Sequence, residues 1–180
     1  MRLGPDGWID VARAVPSPNS DARPEGARPT LLVVHGISLP PGEFGGDAIE
    51  RLFTNTLDPG AHSYFAGIAA LKVSAHFLVR RSGELVQFVP VGDRAWHAGV
   101  SSWRGRARCN DYSVGVELEG ADALRYDDEQ YRVLARLVRA LAAALPLRAI
   151  AAHADVAPGR KTDPGPAFDW ARALATFVAS

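Results

Sequence analysis

TLLVVHGISLPPGEFGG (residues 30–46) is the stretch on which the fold turns. Its first five residues, Thr30–Val34, form a nearly unbroken apolar run. A strand of that composition suits the middle of a sheet covered on both faces, because a half-exposed strand would alternate instead. The run ends at His35, and LPPGEFGG (39–46) is too rich in Pro and Gly to continue as a regular element. A buried strand therefore hands an imidazole to a shaped loop.

Upstream, VPSPNSDARPEGARP (15–29) reads as a Pro-rich polar lead-in. Downstream, a short helix is expected at about 47–53, then a β-hairpin from Ser74–Arg80 and Glu84–Val89 around RSGE. An irregular stretch (92–111) precedes a strand at Ser113–Leu118. Asp128–Leu145 is the clearest helix, with Tyr131, Leu134, Leu137, Val138, Leu141 and Leu145 on one stripe. Asp127 and Gln130 resemble a capping box at its start, and Pro146 stops it. A strand at about 149–152 delivers His153, and a Pro/Gly-rich loop leads to a last helix, Trp170–Val178. Strands and helices alternate without repeat or linker. The expectation is a single α/β domain over residues 1–180, a central mixed β-sheet flanked by helices, with its core at about 30–178 and 1–29 as lead-in.

Composition narrows the function. The 180 residues carry 20 Lys+Arg against 20 Asp+Glu, so no net charge draws the chain to nucleic acid or an anionic membrane. Cys109 is the single cysteine, so no internal disulfide is available. MRLGPDGWID has no apolar signal core, and even ALAAALPL (140–147) is far short of a membrane span. A cytoplasmic protein with no evident protein partner is expected, in a length that fits one domain.

Three polar residues stand where apolar segments run into loops: His35, His153 and, ten residues further on, Asp163. Two imidazoles and a carboxylate are a suitable set for zinc, with a fourth position open to water. Two histidines satisfied by local hydrogen bonds would look the same, and spacing alone does not choose. In KTDPGP, Asp163 precedes proline and is pushed towards extended backbone, so Lys161 and Asp163 should point one way and Arg160 and Thr162 the other. A solvated Lys–Asp pair remains the alternative.

In SVGVELEG (113–120), Val114, Val116 and Leu118 share one face, and Ser113, Gly115, Glu117 and Glu119 the other. Gly115 leaves space beside Glu117 for a substrate, and a Glu117 shielded from water would have the raised pKa of a general base. Two exposed glutamates on an edge strand would give the same pattern. Arg104, Arg106 and Arg108 in WRGRARC form either a carboxylate grip or a solvated basic loop. His97, in AWHAG, has the aromatic neighbour and flexible flank of a substrate contact; His76 follows strand alternation and reads as structural.

Taken together, VPSPN, TLLVVHGISLPPGEFGG, LFTNTLDP, VSAHFLVRRSGE, RAWHAGVS, RCNDYSVGVELEG and HADVAPGRKTDPGPAFDW, in order over residues 14–171, resemble the AmpD-type N-acetylmuramoyl-L-alanine amidases. These are similar to the wider type 2 zinc amidase family, which includes a phage lysozyme and the peptidoglycan recognition proteins. The resemblance implies that family's fold and one zinc ion held by His35, His153 and Asp163. It also implies Glu117 as catalytic carboxylate, Lys161 as stabiliser of developing negative charge, and Arg108 as a contact to a peptide carboxylate. The implied reaction cuts the amide between the lactyl group of N-acetylmuramic acid and L-alanine in soluble 1,6-anhydro-muropeptides. The implied setting is cell-wall recycling, which in some bacteria restrains β-lactamase induction. Two positions depart from the pattern: Gly36 stands where Asn is expected and Lys72 where Arg is expected. Both bear on substrate binding. A non-catalytic muropeptide-binding module and an amidase of intact peptidoglycan are the alternatives.

Overall fold

The computed structural model describes residues 1–178. Ten strands are named in chain order: β1 (Arg13–Ala14), β2 (Ser20–Ala22), β3 (Leu31–Ile37), β4 (Phe77–Val79), β5 (Leu85–Gln87), β6 (Asp93–Ala95), β7 (Ser102–Trp103), β8 (Arg106–Ala107), β9 (Ser113–Glu119) and β10 (Ala149–Ala152). The helices are α1 (Ala48–Phe53), α2 (Asp128–Ala144), α3 (His153–Val156) and α4 (Trp170–Val178). Six strands make the main sheet in the order β1-β5-β4-β9-β3-β10. Only β4 and β5 run antiparallel, so the sheet is mixed, as its α/β alternation predicts.

The apolar run of β3 lies between β9 and β10, and all seven residues of β9 are buried. On one face Leu32, Val34, Val116 and Leu118 meet the α2 stripe of Tyr131, Leu134, Leu137, Val138 and Leu141. Gln130 secures that helix three ways: its Oε1 accepts the Asp127 N–H at 3.0 Å, and its Nε2 donates to the carbonyls of Val79 and Glu119. The opposite face packs Leu78, Val86 and Phe88 on Ile49, Leu52 and Phe53 of α1, and Leu31 and Val33 against Cys109, Tyr112 and Val156. Each face is shut by about six large side chains, worth roughly 1.5–3 kcal/mol apiece on burial.

The strand register positions the site. His35 stands opposite Glu117, Gly36 opposite Leu118 and Ile37 opposite Glu119. β3 thus continues two residues past His35 rather than ending there, because β9 supplies ladder partners for the extra turn of pleat. The two glutamates lie on an interior strand, flanked by β3 and β4, which removes the edge-strand reading. The hairpin strands are shorter than alternation predicted. The stretch 92–111 holds three strands of only two or three residues, too short to leave a periodic trace in sequence; β6 pairs with the distant β2, and β7 with β8 in a tight hairpin. Residues 1–29 are knitted into the same body. β1 extends the sheet, Asn19 donates to the carbonyls of Phe53 and Val73, and the Arg23 guanidinium donates to those of Asn110, Asp111 and Ser113.

Candidate active site

β3, the start of α3 and the loop after it bring His35, His153 and Asp163 together at the carboxyl ends of the parallel strands. His35 Nδ1 lies 2.9 Å from His153 Nδ1, His153 Nδ1 3.0 Å from Asp163 Oδ2, and His35 Nδ1 3.4 Å from the same oxygen. Three ligands held at about 2.0–2.1 Å from a small divalent cation in tetrahedral geometry are about 3.3–3.4 Å apart. The observed triangle is that size or slightly tighter. Its chemistry fits as well, since a ligand imidazole must be neutral and a ligand carboxylate ionised. Burial pushes His35 down to about 4, against the opposing pull of Asp163. Burial alone would raise Asp163, but hydrogen bonds from His153 and His35 bring it well below the ordinary carboxylate range. The cluster is a site able to hold a metal ion.

Glu117 stands beside this triangle, its Oε1 3.9 Å from His35 Nδ1, while its buried Oε2 finds no hydrogen-bond partner among the described residues. Burial, and secondarily the Asp163 charge, raise its pKa well above 4.5, with Lys161 opposing. A buried carboxyl with an idle oxygen is placed to accept and return a proton. His35, His153, Asp163, Glu117 and Lys161 all line one cavity of about 590 Å³, large enough for a substantial small-molecule ligand.

The loop after α3 places more residues in the cavity than period-2 reasoning allows. Arg160, Lys161, Thr162 and Asp163 all line it. Arg160 N–H and Lys161 N–H both donate to the Ala157 carbonyl, and Gly165 N–H to Thr162, so the segment is a run of turns rather than extended backbone. Arg160 was missed for that reason; its Nη2 donates to the carbonyls of Ala98 and Val100. The apolar wall made by Tyr64, Ile68, Leu71 and Trp96 was missed too. The aromatic and aliphatic residues of HSYFAGIAAL (62–71) signal its first three members, and the aromatic of AWHAG the fourth.

Other expected contacts lie elsewhere. Arg108 is exposed, pairs with Asp111 at 2.9 Å and does not line the cavity. Arg104 and Arg106 are also outside the cavity; they cover the Trp103 and Tyr112 rings. Lys72 is exposed and does not line the cavity, although its neighbours Leu71 and Val73 do. Gly36 does line it. A side chain at that position would run into the hydroxyl of Tyr126, which donates to the Pro164 carbonyl at 2.9 Å. The space beside Gly115 is not open to a ligand either, because the His97 ring fills it. His97 lines the cavity, but both its ring nitrogens face protein atoms: Nδ1 meets His35 Nε2 at 2.9 Å and Nε2 meets Ser113 Oγ at 3.0 Å.

Comparison with known proteins adds a second line of argument. A sequence profile described as N-acetylmuramoyl-L-alanine amidase matches residues 25–166. The chain is similar to the 1,6-anhydro-N-acetylmuramyl-L-alanine amidase AmpD of Citrobacter freundii, 60% identical over 177 residues, covering 97% of this chain and 95% of that protein. Its fold is similar to the crystal structure of a selenomethionine AmpD derivative, with TM-score 0.95 and 60% identity over 98% of this chain and 99% of that one. It is also similar to Escherichia coli AmiD in complex with the substrate anhydro-N-acetylmuramic acid-L-Ala-D-γ-Glu-L-Lys. There the TM-score is 0.60 and the identity 29%, over 86% of this chain and 60% of that one.

Proposed function

Because the chain belongs to the N-acetylmuramoyl-L-alanine amidase family, we propose that it hydrolyses the lactyl–L-alanine amide of soluble 1,6-anhydro-muropeptides in cytoplasmic wall recycling, using one zinc ion. The observation that carries the reading is the triangle of His35 Nδ1, His153 Nδ1 and Asp163 Oδ2 at 2.9–3.4 Å, with Glu117 beside it in one cavity. Held there, zinc supplies Lewis acidity towards both the amide carbonyl and the attacking water. Glu117 takes the proton of that water as it attacks, then returns it to the departing L-alanine nitrogen. Its raised pKa and idle oxygen match a group that must both accept and give. Lys161, on the cavity wall, offsets the negative charge that gathers on the carbonyl oxygen.

The experiment is incubation of the zinc-loaded chain with a defined anhydro-muropeptide and with intact sacculi, followed by product mass. Release of free stem peptide from the anhydro-muropeptide alone is expected. Binding without cleavage would make the protein a recognition module, and equal rates on sacculi would overturn the substrate assignment. Asp163→Ala should lose zinc and turnover together, by elemental analysis and the same assay. Cell fractionation tests the compartment.

A further inference from the structure

Gly115 sits in the middle of β9, the longest fully buried strand of the sheet, where a missing side chain must be filled by something else. A Cβ there would stand 2.5 Å from Cγ of His97 and 2.7 Å from its Nδ1 and Cδ2. The bare position is thus a cradle for that ring. The ring's backbone is held as well, with the N–H groups of His97 and Ala98 donating to Asn110 Oδ1. From this seat His97 reaches His35 with Nδ1 at 2.9 Å and Ser113 with Nε2 at 3.0 Å.

One proton lies between His35 Nε2 and His97 Nδ1, and its position has a consequence. If His97 held it, His35 would carry its own proton on Nδ1, pointing at His153 and Asp163, and could not offer that nitrogen to a cation. With a cation in the triangle, His35 must be protonated on Nε2 and must donate to His97 Nδ1. A neutral His97 then carries its proton on Nε2 and donates to Ser113 Oγ. Every ring nitrogen along this line then has one defined role. The other imidazole has no such support: its Nε2 is buried without a partner among the described residues.

We propose that His97 and Ser113 are positioning residues for the metal centre: His97 Nδ1 accepts the N–H that His35 must carry for its own Nδ1 to face the ion, and Ser113 Oγ accepts the Nε2–H of His97. Gly115 is the position that lets them do so. This rests on the proposed zinc site and assigns His97 a role behind a ligand.

The test measures zinc affinity by chelator competition, so it does not depend on turnover. His97→Phe fills the cradle but removes the acceptor, and affinity should fall about 10–100-fold. His97→Asn keeps an acceptor oxygen near the Nδ1 position and should hold zinc within a few-fold of the original chain. Ser113→Ala, a small change at a buried strand position, should also weaken zinc binding, and it serves if His97→Phe does not fold. Long-range ¹H–¹⁵N spectra of the zinc-loaded original chain should show both His35 and His97 protonated on Nε2. Zinc affinity unchanged in His97→Phe and Ser113→Ala overturns the proposal, as does a loaded chain with His97 protonated on Nδ1. If the original chain takes up no zinc, the metal reading itself fails; uptake with insensitive variants sinks this inference alone.

Discussion

Glu117→Gln separates function from stability at a single atom. Glu117 is 8% exposed, and one of its oxygens has no hydrogen-bond partner among the described residues. In the metal-free chain its pKa is raised well above 4.5, first by burial and then by Asp163. An acid whose folded pKa exceeds its unfolded value binds more protons when folded. It therefore lowers stability as pH rises above the unfolded pKa, and the penalty is complete only above the folded pKa. Each pH unit of that gap is about 1.4 kcal/mol. Removing the charge at pH 7 should therefore return stability to the metal-free chain, seen as a rise in Tm. The amide is nearly isosteric, so little packing is lost. It cannot take a proton from water, however, and turnover should fall about 10²–10⁴-fold, equivalent to about 3–5.5 kcal/mol of barrier. Thermal unfolding of metal-free protein and mass-spectrometric assay of anhydro-muropeptide cleavage by the zinc-loaded protein measure the two halves. A metal-free variant melting lower than the original chain would refute the burial argument. Cleavage at the original rate would refute the proton-transfer role.

Gly36→Ala should cost about 1–3 kcal/mol of stability by overpacking against the Tyr126 hydroxyl, by chemical denaturation. The same change in a Tyr126→Phe background should cost clearly less, because the next ring atom stands 3.6 Å away; additive costs would show that the hydroxyl is not the obstacle. His76 is held neutral by burial and by the Arg23 charge, its pKa lowered to about 3 from 6.5. The unfolded chain takes up that proton first, so stability should fall as pH drops from 6.5 towards 3, at up to about 1.4 kcal/mol per pH unit from this residue. Denaturant midpoints from pH 6 to 4 should show a shallower decline in His76→Gln, and an unchanged slope would remove His76 from the acid response.

Local pattern was enough for much of the fold. The apolar run at 30–34 marks a covered strand, the stripe from Tyr131 to Leu141 marks α2, and Asp127 with Gln130 marks its start. Each follows from side-chain periodicity or a short capping contact, and neither depends on what lies across the molecule. The same holds in part for the candidate ligands: His35 and His153 were legible from their places at the ends of apolar runs, and all three, Asp163 included, more sharply from family resemblance.

What periodicity could not reach is the arrangement of the loops. Arg160 enters the cavity because consecutive turns replace the extended backbone that proline suggested. Arg108 stays outside it, paired with Asp111 three residues away. Gly115 reads in sequence as space for a substrate and Gly36 as a missing asparagine, yet a ring from another segment fills the space at one and a hydroxyl stands against the other. A glycine announces only that something comes close; which group arrives is set by chain segments packed from far along the sequence. The order of amino acids thus decided which residues lie on strands and helices and which chemistry was available. Long-range packing decided that His97 turns its ring nitrogens to His35 and Ser113, because strand register and a buried cradle, unlike periodicity, exist only once the chain has closed on itself.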